Sequence, residues 1–222
     1  MTEAEWLTCE DSRLMLMLLK GKESNRKFRL FACACCRRVT DVLGSQHGAA
    51  ALKVAEQLAD GLATNVDRRR VTESLLAAKP FFPSLNTALF ANSFTAAYDT
   101  AARAASAPTL INVPKIIGGP GATINPRWAE AVKNEYAIQA SLLRDVFGNP
   151  FDPVAFSPEW RTSTVVALAS HMYESREFGA MPILADALQD AGCDSADVLA
   201  HCRGPGPHVR GCWVVDLVLG KE

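Results

Sequence analysis

Four residues near the end of the chain carry the side chains best suited to chemistry. Cys193, Cys202, His208 and Cys212 fall at the spacing C-x8-C-x5-H-x3-C. Zinc takes four donors in a tetrahedron, and thiolate sulfur with imidazole nitrogen meets that demand. His208 and Cys212 are four apart, which on a helix puts them on one face. The turn Gly204-Pro205-Gly206-Pro207 folds Cys202 back toward them. The same residues also read as three small buried thiols and a turn histidine. A third reading pairs Cys212 with His208 as nucleophile and base, with no group in the sequence to orient them.

Other clusters are weaker in chemical content. Cys33, Cys35 and Cys36 sit in one helical stretch, where Arg37 and Arg38 could favour a thiolate. Their mid-helix position beside Phe28 and Phe31 reads as core. Arg26, Lys27, Arg29, Arg37 and Arg38 lie on that same helix, Arg68-Arg69-Arg70 opens another, and Arg203 and Arg210 flank the C-terminal turn. Phosphate contacts need such clusters, so these are the candidate nucleic-acid residues; solvated helix faces with ion pairs are the alternative. His171 and Glu174 are three apart and read as a surface pair. Gly118-Gly119-Pro120-Gly121 has neither the preceding strand nor the following lysine of a phosphate loop, and no other established catalytic motif occurs.

The elements that must position these residues are helices. Thr8 or Asp11 caps a first one carrying Leu14, Met15, Leu18 and Leu19, ended by Gly21. A longer helix from Ser24 to about Leu43 places Phe28, Phe31, Ala32, Cys35, Val39 and Val42 on one stripe. Further helices are expected over 47–62, from Asn65 or Asp67 to Ala78, through the alanine-rich stretch 84–106, and from Pro126 to Phe147. Four more come after these. Ser163 opens one to Arg176, Pro182 one to Ala191, and Ser195 caps one to Cys202. The last carries Val209, Cys212, Trp213, Val215, Leu217 and Val218. Pro80 and Pro83 enclose Phe81-Phe82 in a turn. The expectation is an all-α, multi-helix bundle of about ten helices. Its N-terminal helical region is 1–106, a Pro/Gly-rich loop or linker spans 107–125, and a C-terminal helical region covers 126–222, the two packed as one domain.

Bulk composition narrows the classes. Hydrophobic residues at 49% supply a core, and 21% charged residues with a net charge of −1 argue against a globally basic nucleic-acid binder. Seven cysteines, with acidic residues in place of a signal peptide, read as thiols or metal ligands, not disulfides. No apolar run reaches membrane length, so a cytoplasmic location without membrane contact is expected.

The spacing 8-5-3 is that of the CCCH zinc fingers, which bind single-stranded RNA, with the last two ligand types exchanged. The flanking Asp197-Val198-Leu199 and Trp213-Val214-Val215 differ from such fingers in looking like core-facing helix. A wider likeness covers most of the chain. The stretch LADALQDAGCDSADVLAHCRGPGPHVRGCWVVDLVLG, with EAEWLTCEDSRLMLMLLKGK, RKFRLFACACCRRV and LRDVFGNPF, resembles a large paralogous family of uncharacterised planctomycete-type bacterial proteins. That resemblance implies a helical accessory module, found alone or beside repeat and interaction domains, and brings no catalytic residue or cofactor with it. Three functions remain open. One is a non-enzymatic interaction or regulatory module with a protein partner, or with itself through the alanine-rich helix. The second is a zinc-stabilised module contacting nucleic acid. The third is a cysteine-dependent enzyme.

Overall fold

The computed structural model describes residues 1–43, 46–77, 93–105, 116–117 and 123–221. Among them are eleven α-helices: α1 (Glu3–Thr8), α2 (Ser12–Leu19), α3 (Asn25–Leu43), α4 (Gln46–Ala59), α5 (Asn65–Ala77), α6 (Ser93–Ala105), α7 (Pro126–Phe147), α8 (Ser163–Ser175), α9 (Met181–Asp190), α10 (Ala196–Arg203) and α11 (Trp213–Leu219). The fold is all-α. A two-residue antiparallel ladder, Ile116–Ile117 against Thr123–Ile124, lies within the segment expected to be irregular. Phe81-Phe82, the glycine run at 118–121 and the first part of the alanine-rich stretch lie outside the described residues.

The chain forms two compact units, Met1 with Thr8–Ala140, and Thr2–Leu7 with Ser141–Glu222. The division therefore falls inside α7, and the expected linker 107–125 lies within the first unit's range. The reason is that α7 is one unbroken helix. Its earlier turns carry Glu135 and Gln139 into the first unit's polar interior, and its last turn carries Arg144 and Asp145 into the second.

In the first unit α3 packs against α4 and α6, and α4 against α5. Residues 30–36 of α3 are all buried, so the helix is covered on every side over that stretch. Five of the six alanines of α6, Ala96, Ala97, Ala101, Ala104 and Ala105, are buried within the unit. Small side chains let this helix approach α3 closely, and Phe94 meets Phe28 edge-on at 5.5 Å between centroids. The sequence expectation is self-association through the alanine-rich helix, and in its described part most of the alanines face the interior of the unit. Gln139, fully buried, accepts from Ser12 Oγ at 3.0 Å and donates to the Ala101 carbonyl at 3.1 Å, satisfying an amide that burial would otherwise penalise.

The second unit is built from α8 to α11 and the short N-terminal α1. Thr162, one residue before Ser163, caps α8 through its hydroxyl, and Ser195 caps α10. Apolar faces of α8, α9, α10 and α11 enclose a common core around Met172, Leu184, Val198 and Val215. The helix α11 begins at Trp213, later than the apolar periodicity suggests. Gly211 adopts a left-handed φ of 97°, which ends any helical run from Val209, so His208 and Cys212 precede the helix and do not share a face on it.

Helix α1 is absent from the sequence reading, which begins its first helix at α2. It supplies Trp6, fully buried, whose indole N–H donates to the Gly148 carbonyl at 3.1 Å. The Trp6 carbonyl accepts from Arg144 Nε and Nη2 at 3.1 and 2.8 Å. Replacing Trp6 by alanine should cost about 3–5 kcal/mol through the cavity it leaves. Trp6→Phe, which loses chiefly the hydrogen bond, should cost about 1 kcal/mol. Urea unfolding of the two variants measures both, and equal losses would mean that packing of the ring contributes nothing.

Candidate metal centre

Three segments of the second unit meet at one point. The last turn of α7 presents Asp145, the end of α10 presents His201, and the loop 204–212 brings His208 and Cys212. Local sequence makes that loop. The Gly204 N–H donates to the carbonyls of Ala200 and His201 and closes α10. Gly206 has φ +83°, and a Cβ there would stand 2.9 Å from the His208 backbone nitrogen. Only glycine fits that position without a shift of the chain. The Cys212 N–H donates to the Val209 carbonyl at 2.9 Å, completing the turn into α11.

Asp145 Oδ1 is the hub. It lies 2.9 Å from His208 Nδ1 and 3.2 Å from His201 Nε2, and His201 Nε2 lies 3.1 Å from Cys212 Sγ. One donor atom from each of the four residues falls within 4.8 Å of all the others. The two imidazoles meet edge to face at 4.9 Å, and His201 also lies 5.1 Å from the Trp213 ring. Asp145 and Cys212 are buried, at 2% and 0% exposure.

The outer atoms of this group are held by backbone. Asp145 Oδ2 accepts from the Val209 N–H at 2.9 Å, and His208 Nε2 faces the Gly204 carbonyl at 3.4 Å. Asp145 and His208 thus have their outer atoms fixed while one donor atom of each turns inward, the arrangement by which metal ligands are oriented. A tetrahedral zinc ion has donor–donor edges of roughly 3.3–3.6 Å, from Zn–N near 2.0–2.1 Å and Zn–S near 2.3 Å. The short separations here, 2.9 to 3.2 Å, lie just under that, and the widest, within 4.8 Å, lies above it, so the donors would adjust in both directions around an ion. A carboxylate, a thiolate and two neutral imidazoles would also offset the full charge of a dication, which suits a buried site.

Burial and electrostatics set the protonation of the group. Burial pulls the His208 imidazole down, but its hydrogen bond to Asp145, the Asp145 charge and the Gly204 carbonyl together outweigh this and raise it. Burial, reinforced by the Asp145 charge, pushes the Cys212 thiol well up. Burial likewise lifts Cys202, with Cys193 and Asp145 adding, to about 12. Such thiols are protonated at neutral pH unless a metal displaces the proton.

Of the four residues that the spacing picks out, the structure brings two together. His208 and Cys212 converge, and Asp145 and His201 complete the group. Cys193 and Cys202 instead line the apolar core of the unit, at 3% and 0% exposure. The physical reason is the helix α10: Cys202 faces the core, and His201, one residue and about 100° earlier, faces the loop. A CCCH finger needs an irregular chain here. The expected Cys212–His208 pair is also rearranged, since His201 is the imidazole at the thiol and His208 turns to Asp145. Because Asp145 Oδ1 and Cys212 Sγ both approach the same His201 nitrogen, the three do not form a relay through opposite ring nitrogens.

The other candidate residues lie away from this centre or are already engaged. Cys33, Cys35 and Cys36 are buried in α3, and burial drives the Cys33 and Cys35 thiols well up. Several of the basic residues are paired. Arg26 bonds Asp60 at 3.0 Å, Arg37 bonds Glu56 at 2.7 Å, and Arg38 grips Glu135 through two bonds of 2.9 and 2.7 Å. Lys27 and Arg29 are half-buried, and burial lowers the Arg29 guanidinium. Arg203 reaches Asp186 and Gln189, and Arg210 stacks on Tyr173 at 4.2 Å. His171 and Glu174 are exposed on α8. Sequence reasoning misses Asp145 and His201, because one is 63 residues from His208 and the other stands beside a cysteine. Neither residue belongs to a spacing pattern that marks it as a ligand.

The burial of the thiols sets the outcome of a native-state titration. Of the seven cysteines only Cys9 is not buried, so about one equivalent should react quickly with a neutral-pH disulfide reagent, and Cys9→Ser should abolish that phase. A fast phase that instead disappears in Cys212→Ser would support the cysteine-dependent enzyme. Comparison of the chain with protein-family models, curated proteins and solved structures found no match.

Proposed function

We propose that this chain is a helical interaction or regulatory module whose C-terminal unit is fastened by one zinc ion on Asp145, His201, His208 and Cys212. The observation that carries the reading is the convergence of four donor atoms within 4.8 Å, with Asp145 and His208 held from behind by backbone groups. The donor set fits zinc, since thiolate and imidazole select a borderline ion over magnesium or calcium. A metal at this point joins the end of α7, the end of α10 and the loop before α11. The interaction role draws on the family resemblance and on Leu14 and Met17, which stand exposed three residues apart on α2. No helix of the described residues is long and apolar enough to cross a membrane.

The cysteine-dependent enzyme gains little from the geometry, because its thiol is fully buried and raised in pKa. The nucleic-acid reading loses Arg26, Arg37 and Arg38 to carboxylates of their own unit.

Elemental analysis of protein purified without a metal-affinity step should find about one zinc per chain. Asp145→Asn and Cys212→Ala should each weaken zinc binding by about 100-fold or more, whereas Cys193→Ser should leave it unchanged. Less than about a tenth of an equivalent of zinc in the native chain, after incubation with the ion, would end the proposal. Loss of binding in Cys193→Ser would return the ligand set to the one suggested by spacing.

A further inference from the structure

We infer that the metal held by Asp145, His201, His208 and Cys212 keeps one face open and takes a small external anion there. This rests on the metal reading above and adds to it the ligand that the site would sense. The open face is given by a cleft of about 220 Å³ lined by Ser141, Arg144, Asp145, His201, His208 and the turn 204–207. Three of the four donors border this cleft. The fourth, Cys212, does not; it is fully buried on the core side. The thiolate therefore anchors the ion from within, and the carboxylate and two imidazoles stand between it and the cleft.

The two faces of the centre differ in exposure accordingly. The His201 side chain is 18% exposed, against 8% for His208 and 2% for Asp145, so access is along the His201 side. A cleft of this size holds several water molecules at about 30 Å³ each, enough for a ligand of a few atoms. Arg144 and Ser141 line it beside the turn 204–207, and the Arg144 guanidinium is engaged by the Trp6 carbonyl, so the metal itself would be the charge that draws an anion in. Closed structural zinc sites surround the ion with protein, whereas sites that exchange ligands keep a solvent-facing position and expand to five-coordination. Here four protein donors would fill the tetrahedron, as in a structural site, while the cleft on the side away from Cys212 leaves room for a fifth ligand. A small monodentate anion approaching from the cleft would add as the fifth ligand without displacing Cys212.

The experiment is cobalt substitution in the full chain, with azide as the probe. Co(II) replaces zinc in such donor sets and reports coordination number through the intensity of its visible bands. Addition of one equivalent should give the spectrum of a tetrahedral thiolate-containing site. Azide should then shift and weaken those bands saturably, and Ser141→Leu, which narrows the cleft without touching a ligand, should weaken the azide response about tenfold or more while preserving the azide-free spectrum. A cobalt spectrum of the native chain that stays the same at every azide concentration would overturn the open face and leave the metal site intact. An azide response unaltered by Ser141→Leu, where that variant keeps the azide-free spectrum, would overturn the cleft as the route. Should Ser141→Leu fail to bind cobalt, the native-chain titration still decides. Failure of the native chain to bind cobalt or zinc would overturn the metal reading itself, and the anion site with it.

Discussion

A carboxylate that is 2% exposed sets the terms for the whole C-terminal unit. An ionised Asp145 in that position requires partners, because desolvating an unpaired charge costs several kcal/mol. The chain supplies them from every segment around it. His208 Nδ1 and the Val209 N–H come from the loop, and His201 Nε2 from α10. The turn must therefore carry His208 and Val209 back over the end of α7, and the glycine at 206 permits that path. Cys212 is then drawn into place because it ends the same loop. The loop is ordered by one charge, and the neighbouring helices are positioned by the loop.

The first unit handles its buried polar groups in a parallel way. Glu56 and Glu135, at 1% and 5% exposure, each receive an arginine from α3. Breaking such a pair from one side leaves the other charge stranded. The arginines that give α3 its basic look in sequence are thus part of the packing of the unit. A slightly acidic net charge is the only hint of this, since it leaves carboxylates available to meet them.

How much is legible in the residues depends on the range of the interaction. Helical periodicity and caps are local, and α7 starts at Pro126 and stops at Phe147 as the proline and the Gly-Asn-Pro stop indicate. The burial of α3 is visible in its unbroken run of apolar residues. The site is legible only in part. His208 and Cys212 lie on one short loop, so spacing finds them. Asp145 joins them across 63 residues, and no local pattern encodes that approach. His201 is masked by Cys202, whose thiol fits a zinc spacing better; one step round a helix decides which of two adjacent side chains faces the core. The end of the helical run before Cys212 turns on one left-handed glycine, Gly211, which apolar periodicity does not register.

Helix α1 has a consequence for how the protein comes into being. Trp6 belongs to the second unit and bonds Gly148, a sequence separation of 142 residues. On a growing chain α1 emerges long before the groups that receive it. An amphipathic segment of six residues does not hold a helix alone. Until α7 and the helices after it have been synthesised, the tryptophan has no native place in its unit. The docking of α1 is therefore a long-range contact in a unit whose other helices, α8 to α11, pack among themselves. Its closure waits for late synthesis to deliver the docking site of an early segment, and the exposed indole is a target for chaperones or for unwanted association in the interval.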